Sequence, residues 1–220
     1  MIKKIIALMV ALALLASLAA CGKKDPVTVE FGWGSYKGNQ YTNEFFNFSI
    51  DLPANYYQLT PQGIVDANLQ PDANGIITPI DINDIEDLSA EAIVHFVYTT
   101  KYENTPEGAF NPYINIFSEN MQYSNSLYNK EDYVENNINY TARIFTQSGI
   151  DVKVYPLEKP WYGDRQFAKG SMKIDYEQFT MFQEMYSLTK SNYAFVILIG
   201  YSNDAEKEEL YKVLDSIKIK

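Results

Sequence analysis

The residues able to do chemistry are few in kind. The 220-residue chain has one histidine, one cysteine, two tryptophans, 18 tyrosines, and 28 acidic against 18 basic side chains. His95 stands in an apolar, β-branched run, and the sequence places no partner beside it for chemistry. A general base or metal ligand needs such a partner, whereas a packed ring needs one hydrogen bond, so the pattern predicts a packed histidine. Ser-His-Asp chemistry lacks its nucleophile elbow, since no Gly-x-Ser-x-Gly occurs. One cysteine rules out a disulfide framework and, beside one histidine, a Cys/His zinc set. Gly32, Gly34 and Gly38 have neither the strand-to-helix setting nor the lysine spacing of a phosphate loop.

The acids offer more. Asp81, Asp84, Glu86 and Asp87 are dense hard-oxygen ligands of the kind calcium takes. An EF-hand loop starting at Asp81 fails, however, because Ile85 holds the fifth position, Glu86 replaces the glycine at the sixth, and Ala92 stands where the bidentate glutamate belongs. The segment reads as a solvated loop, and no metal or other cofactor is expected. No carboxylate pair for glycoside hydrolysis stands out among the acids. With only Arg143 and Arg165 as arginines and a formal charge of -10, the chain has no basic footprint for nucleic acid.

Tyrosine and tryptophan supply flat stacking area with a polar tip. Trp161, Tyr162, Asp164 and Arg165 follow Lys159 and Pro160 and put two aromatics and two opposite charges on an expected loop. Binding residues concentrate on loops, so these four are the candidate mouth for a small molecule, sugar or peptide. The competing use of tyrosine is cross-strand packing.

The first twenty residues carry Lys3 and Lys4, an apolar stretch over 5–15, and small residues up to Cys21. That run is short for a membrane span and has the layout of a secretory signal. Leu18-Ala19-Ala20-Cys21 resembles the bacterial lipobox, in which the cysteine thiol receives diacylglycerol and becomes the first mature residue. Cys21 is therefore the expected lipid attachment site, and the chain is expected to be membrane-anchored on the extracytoplasmic face. Two or more acyl chains, at about 0.8 kcal/mol per buried CH₂, make such attachment effectively permanent. Processing removes two lysines and no acid, so the mature globule is still more acidic and should stand off an anionic surface. The boundaries read as signal peptide 1–20, lipidated cysteine and polar linker 21–34, and one globular domain 35–220.

Positioning elements follow from hydrophobic period. Tyr41, Asn43, Phe45, Phe46, Phe48, Ile50 and Leu52 form two short aromatic-rich runs around Asn43-Glu44, an expected opening hairpin. Residues 58–83, with Pro61, Pro71 and Pro79, read as loops with at most short helices. Strands are expected over 93–98, 113–117, 151–155 with a stop at Pro156, 166–175, 179–188 and 193–201. Val134, Ile138, Thr141, Ala142 and Phe145 recur at helical intervals across 131–147, with Gly149 as the stop. Residues 194–199 are apolar on both faces, which predicts a central strand covered on both sides. Asn203 is the expected cap of a last helix whose stripe is Leu210, Val213, Leu214 and Ile217.

The opening run from Tyr41 to Pro53, with its aromatic hairpin, resembles the start of PsbP-like domains. The ending resembles theirs too: a turn, an all-apolar strand, and a helix closing in Leu214-Asp215-Ser216-Ile217-Lys218-Ile219. The resemblance covers nearly the whole mature domain in element order and implies an α+β fold, an α-β-α sandwich around a mainly antiparallel sheet. Known members, photosystem accessory proteins and many bacterial lipoproteins among them, mostly act by binding partners and share no catalytic motif. It therefore implies a non-enzymatic binding protein with a protein or cell-envelope partner, and transfers no functional residue.

Overall fold

The computed structural model of the chain describes residues 29–68, 82, 92–122 and 129–219. Cys21 with its lipobox, and the acidic run 81–87 apart from Ile82, lie outside the described residues. The chain divides after Glu30, and the architecture below is that of the unit Phe31–Lys220.

A meander opens this unit. β1 (Ser35–Lys37), β2 (Gln40–Asn43) and β3 (Phe48–Asp51) pair in order, with Tyr41 opposite Ile50. Period-two alternation sends Tyr41, Asn43, Phe48 and Ile50 inward. Asn47 closes the β2–β3 turn at φ 52°, a left-handed conformation that asparagine tolerates better than most residues. Phe31, which falls within the polar segment of the sequence reading, packs edge-on against Phe45 at 5.1 Å and stacks on Tyr193 at 4.6 Å. After β4 (Tyr57–Gln58) comes α1 (Pro61–Asn68), a short helix with proline in its first turn, where the missing N–H costs nothing.

The remaining elements build the main sheet and its cover. They are β5 (Ile93–Thr100), β6 (Tyr113–Asn120), α2 (Lys130–Gln147), β7 (Asp151–Glu158), the short pair β8 (Trp161–Tyr162) and β9 (Arg165–Gln166), then β10 (Ala168–Asp175) and β11 (Thr180–Lys190). β12 (Tyr193–Tyr201), α3 (Asp204–Asp215) and β13 (Lys218–Ile219) follow. Seven strands run in the order β4-β5-β6-β12-β11-β10-β7, and four more form a second sheet in the order β1-β2-β3-β13. Every pairing among the described strands is antiparallel.

The apolar run 194–199 lies on β12, the middle strand of seven, and both its faces are covered. Ala194 and Val196 meet the α2 side, while Phe195, Ile197 and Ile199 meet α3 and the smaller sheet. α2 begins at Asn129, whose side chain accepts from the Asp132 N–H at 2.9 Å, and ends at Gly149, φ 80°. It lies close over β10 because Gly170 has no side chain: a Cβ there would stand 2.6 Å from Val134 and 2.7 Å from Ile138.

Two sequence expectations need correction. Pro156 does not stop β7, which continues to Glu158. β7 is an edge strand, where a missing N–H is tolerated, and its register against β10 shifts between Lys169 and Ser171 to pass the proline. Nor does the last helix carry Ile217. The Ser216 hydroxyl donates to the Val213 carbonyl and ends α3, and β13 then pairs Lys218 with Ser49 and Ile219 with Phe48. The alternating Ile217-Lys218-Ile219 is a strand pattern, and it places both isoleucines in the core.

Candidate functional site

The four residues of the expected binding loop do not converge. Trp161 to Gln166 is a two-stranded hairpin, Trp161 opposite Gln166 and Tyr162 opposite Arg165. Strand alternation sends neighbouring side chains to opposite sides. Trp161 is 65% exposed, whereas Tyr162 turns inward, edge-on to Phe167 and Tyr186, each at 5.8 Å. Gly163 takes φ 54° at the turn, close against the Ile219 backbone, and the Asp164 N–H donates to the Ile219 carbonyl. Asp164 and Arg165 are exposed. The hairpin thus presents one bare indole on a braced turn.

His95 sits on β5 with Nδ1 3.1 Å from Asn115 Oδ1 and its ring 5.2 Å from Phe117. Burial pushes its pKa below the ordinary histidine value, against the smaller pull of Asn115. A neutral, packed imidazole results. Among the described residues, no three histidine, cysteine or acidic side chains gather as a metal site.

The most concentrated chemistry lies elsewhere, on the sheet face that α3 covers. Phe182, Glu184 and Tyr186 alternate onto this face of β11, and register brings Lys169 of β10 opposite Tyr186 and Tyr201 of β12 opposite Phe182. Tyr211 reaches in from α3. The Glu184 side chain is 5% exposed and Lys169 is 10% exposed, with Lys169 Nζ 3.4 Å from Glu184 Oε1 and 3.2 Å from Glu158 Oε1. Three tyrosine hydroxyls donate to the one carboxylate: Tyr186 at 2.5 Å, Tyr201 at 2.9 Å and Tyr211 at 3.0 Å to each oxygen. A carboxylate has about four acceptor sites, so Glu184 is saturated.

The electrostatics agree with this geometry. Burial raises the tyrosine pKa values, and the Glu184 carboxylate adds to it at Tyr186, Tyr201 and Tyr211, so all three stay protonated donors. Burial alone would lower the Lys169 pKa, but Glu184, Tyr211 and Glu158 together outweigh it and hold the ammonium above its ordinary value. Lys169 also sits 5.8 Å from the Tyr186 ring centre and 5.9 Å from that of Tyr211. Glu158 and Glu184 are the carboxylate pair that the network draws together, with the Lys169 ammonium as their shared counter-ion. Above the network a cleft of about 580 Å³ opens between β7 and α3, walled by Tyr155 and Pro156 on one side and by Lys207 and Tyr211 on the other.

No protein-family model matches the chain, and no curated protein matches it. Solved structures do. The solution structure of cyanobacterial PsbP (CyanoP) from Synechocystis sp. PCC 6803 superimposes with a TM-score of 0.50 at 8% identity, over 85% of this chain and 98% of that one. The fold is PsbP-like. A crystal structure from Bacteroides thetaiotaomicron VPI-5482 aligns at a TM-score of 0.38 and 10% identity, over 84% of this chain and 49% of that one, too low to bear on the fold.

Within this PsbP-like fold, the sequence reading missed the Glu184 cluster. Its members come from five elements, β7, β10, β11, β12 and α3, and only strand register and the docking of α3 bring them together. One signal was present: Phe182-x-Glu184-x-Tyr186-x-Leu188 places an acid on an otherwise apolar strand face. A buried carboxylate demands a cation or several donors, and Lys169, opposite Tyr186 and so diagonally across from Glu184 on the neighbouring strand, answers that demand.

Proposed function

We propose that this chain is a lipid-anchored, extracytoplasmic binding protein without catalytic activity, which holds a protein or cell-envelope partner near the membrane. The observation that carries the reading is the lipobox Leu18-Ala19-Ala20-Cys21, followed by a polar segment and then a folded unit. The PsbP-like fold supports it through the resemblance noted above, whose known members mostly act by binding partners. The lysine wedged between Glu158 and Glu184 supports the non-catalytic part, because the acids hold each other's counter-ion instead of a reacting bond.

The test is a pull-down from native membranes with the intact chain and a Cys21→Ser control, read by mass spectrometry. Mass analysis of the N-terminal peptide in the same preparation reads the acyl chains directly. A diacylated Cys21 and a partner enriched only with the anchored form are the expected results. An unmodified Cys21 overturns the anchor, and equal recovery of every protein by both forms overturns partner holding at the membrane.

A second reading, capture of a small molecule, sugar or peptide, is favoured by the bare Trp161 indole on its braced hairpin. It expects a saturable rise in melting temperature with a saccharide or peptide panel, and loss of that rise in Trp161→Ala if the hairpin is the mouth.

A further inference from the structure

We propose that the cleft between β7 and α3 is a binding site for a short neutral saccharide. The proposal names a ligand class for the second reading above and rests on it, but moves the mouth from the Trp161 hairpin to the Lys169–Glu184 network. At about 580 Å³ the cleft is of the size small-ligand sites have.

Its floor is fixed before any ligand arrives. Glu184 is saturated by three hydroxyls and an ammonium. Lys169 has three N–H donors, and Glu158, Glu184 and the Tyr211 hydroxyl take all three. The floor therefore offers a ligand no free charge. What it supplies is a rigid base, and rigid walls lower the ordering cost of binding.

The groups left for a ligand lie at the rim. Glu158, with a 59% exposed side chain, keeps a second oxygen as an acceptor. Lys207, held 5.3 Å from the Tyr211 ring centre, offers donors on the opposite wall. Ser171 and Tyr155 also line the cleft, and their hydroxyls can both donate and accept. The cleft therefore combines donors and acceptors with tyrosine and phenylalanine walls. A sugar ring has that complement: hydroxyls that donate and accept around its edge, and an apolar face of C–H groups for an aromatic wall.

Charge weighs against ligands that carry a single sign of charge. Two lysines and two glutamates line the cleft, so an anion gains from Lys207 what it loses to Glu158, and a cation meets the reverse. A neutral ligand pays neither penalty.

The test is isothermal titration of the full mature chain in detergent micelles with maltotriose, cellotriose and N-acetylchitotriose, alongside glucose 6-phosphate and a tripeptide mixture. The expected result is saturable binding of at least one trisaccharide, weakened about tenfold or more by Tyr155→Ala and by Lys207→Ala, the loss of one wall or of a charge-assisted hydrogen bond, and unchanged by Trp161→Ala. Amide NMR shifts on adding the trisaccharide should fall on β7, β10 and α3, a readout that needs no variant. Trisaccharide binding that disappears in Trp161→Ala and survives the two cleft variants overturns the site. Tighter binding of glucose 6-phosphate than of any trisaccharide overturns the neutral class. Binding of the tripeptides alone overturns the saccharide and leaves the second reading standing, whereas no binding by any probe removes both.

Discussion

The two faces of the central sheet come from the same strands and differ in kind. Toward α2 they present Ala168, Met172, Met181, Met185, Ala194 and Val196. Toward α3 and the smaller sheet they present Tyr186, Phe195, Ile197, Ile199 and Tyr201. Methionine and alanine make an adaptable bed on which a helix settles closely, and Gly170 lets it settle closer. Aromatic rings fill more space but bring hydroxyls that need partners once buried. Glu184 is the shared partner, and Lys169 balances it. A charge is tolerated in this core because every atom of it is met.

That contrast can be broken from either side. The largest effect is expected from Glu184→Ala, which leaves three tyrosine hydroxyls and the Lys169 ammonium without their acceptor. Denaturant unfolding should show a loss of about 3–5 kcal/mol, and the double variant Glu184→Leu with Lys169→Met should lose much less, since removing both partners leaves no orphaned charge.

Alkaline pH attacks this face most without a mutation, while Tyr133 on the α2 side, raised by burial and by Glu119, adds a smaller loss in the same direction. The tyrosines of the network have folded pKa values above the unfolded value of about 10, so above that pH the unfolded chain binds fewer protons than the folded one and stability falls. Lys169, also raised, adds a loss in the same direction as pH climbs through its folded value. Each group acting contributes up to about 1.4 kcal/mol per pH unit. Unfolding midpoints measured from pH 8 to 11 should be flat at first and then drop, and a flat profile throughout would contradict the network.

On the α2 face the expected sensitivity is steric. Gly170→Ala pushes a methyl into Val134 and Ile138 and should cost about 1–3 kcal/mol by overpacking, with no change in the alkaline drop. Next comes Asn203→Ala at the start of α3, about 1 kcal/mol, since its side chain accepts from the Glu206 N–H at 3.0 Å. Loosening α3 should also loosen Tyr211, so this variant sharpens the contrast if its alkaline drop begins at lower pH than that of Asn129→Ala at the start of α2. The smallest effect is expected from Trp161→Ala, within about 0.5 kcal/mol, because most of the indole is already in water.

Much of this architecture was legible in the sequence, for physical reasons. α2 carries its own stop at Gly149 and its own apolar stripe, so it could be read locally, though the buried Tyr133 beside Val134 was not. β12 announced its central place by being apolar on both faces. Pro156 misled because its effect depends on whether the strand is an edge, which only the assembled sheet decides. Ile217 misled because a spacing of three from Leu214 fits a helix, while the Ser216 cap ends it one residue earlier. Trp161 and Tyr162 looked like one site because they are adjacent, and strand alternation makes adjacency a separation. The Glu184 network was invisible as a unit, since Lys169 and Tyr211 are brought to it across 15 and 27 residues by pairing and docking.

The hydrogen bond from the Asp51 N–H to the Ser216 hydroxyl spans 165 residues, and β13 lies beside it as the outer strand next to β3. The meander that is synthesised early in this unit therefore waits for a strand made near its end. Through most of synthesis β3 has one open edge, and the Phe48 and Ile50 side chains lack the lid that α3 and Ile219 provide. Closure of this small sheet ties residues far apart in the chain into one element: without β13, the β3 edge and the Phe48 side chain would lose part of their cover.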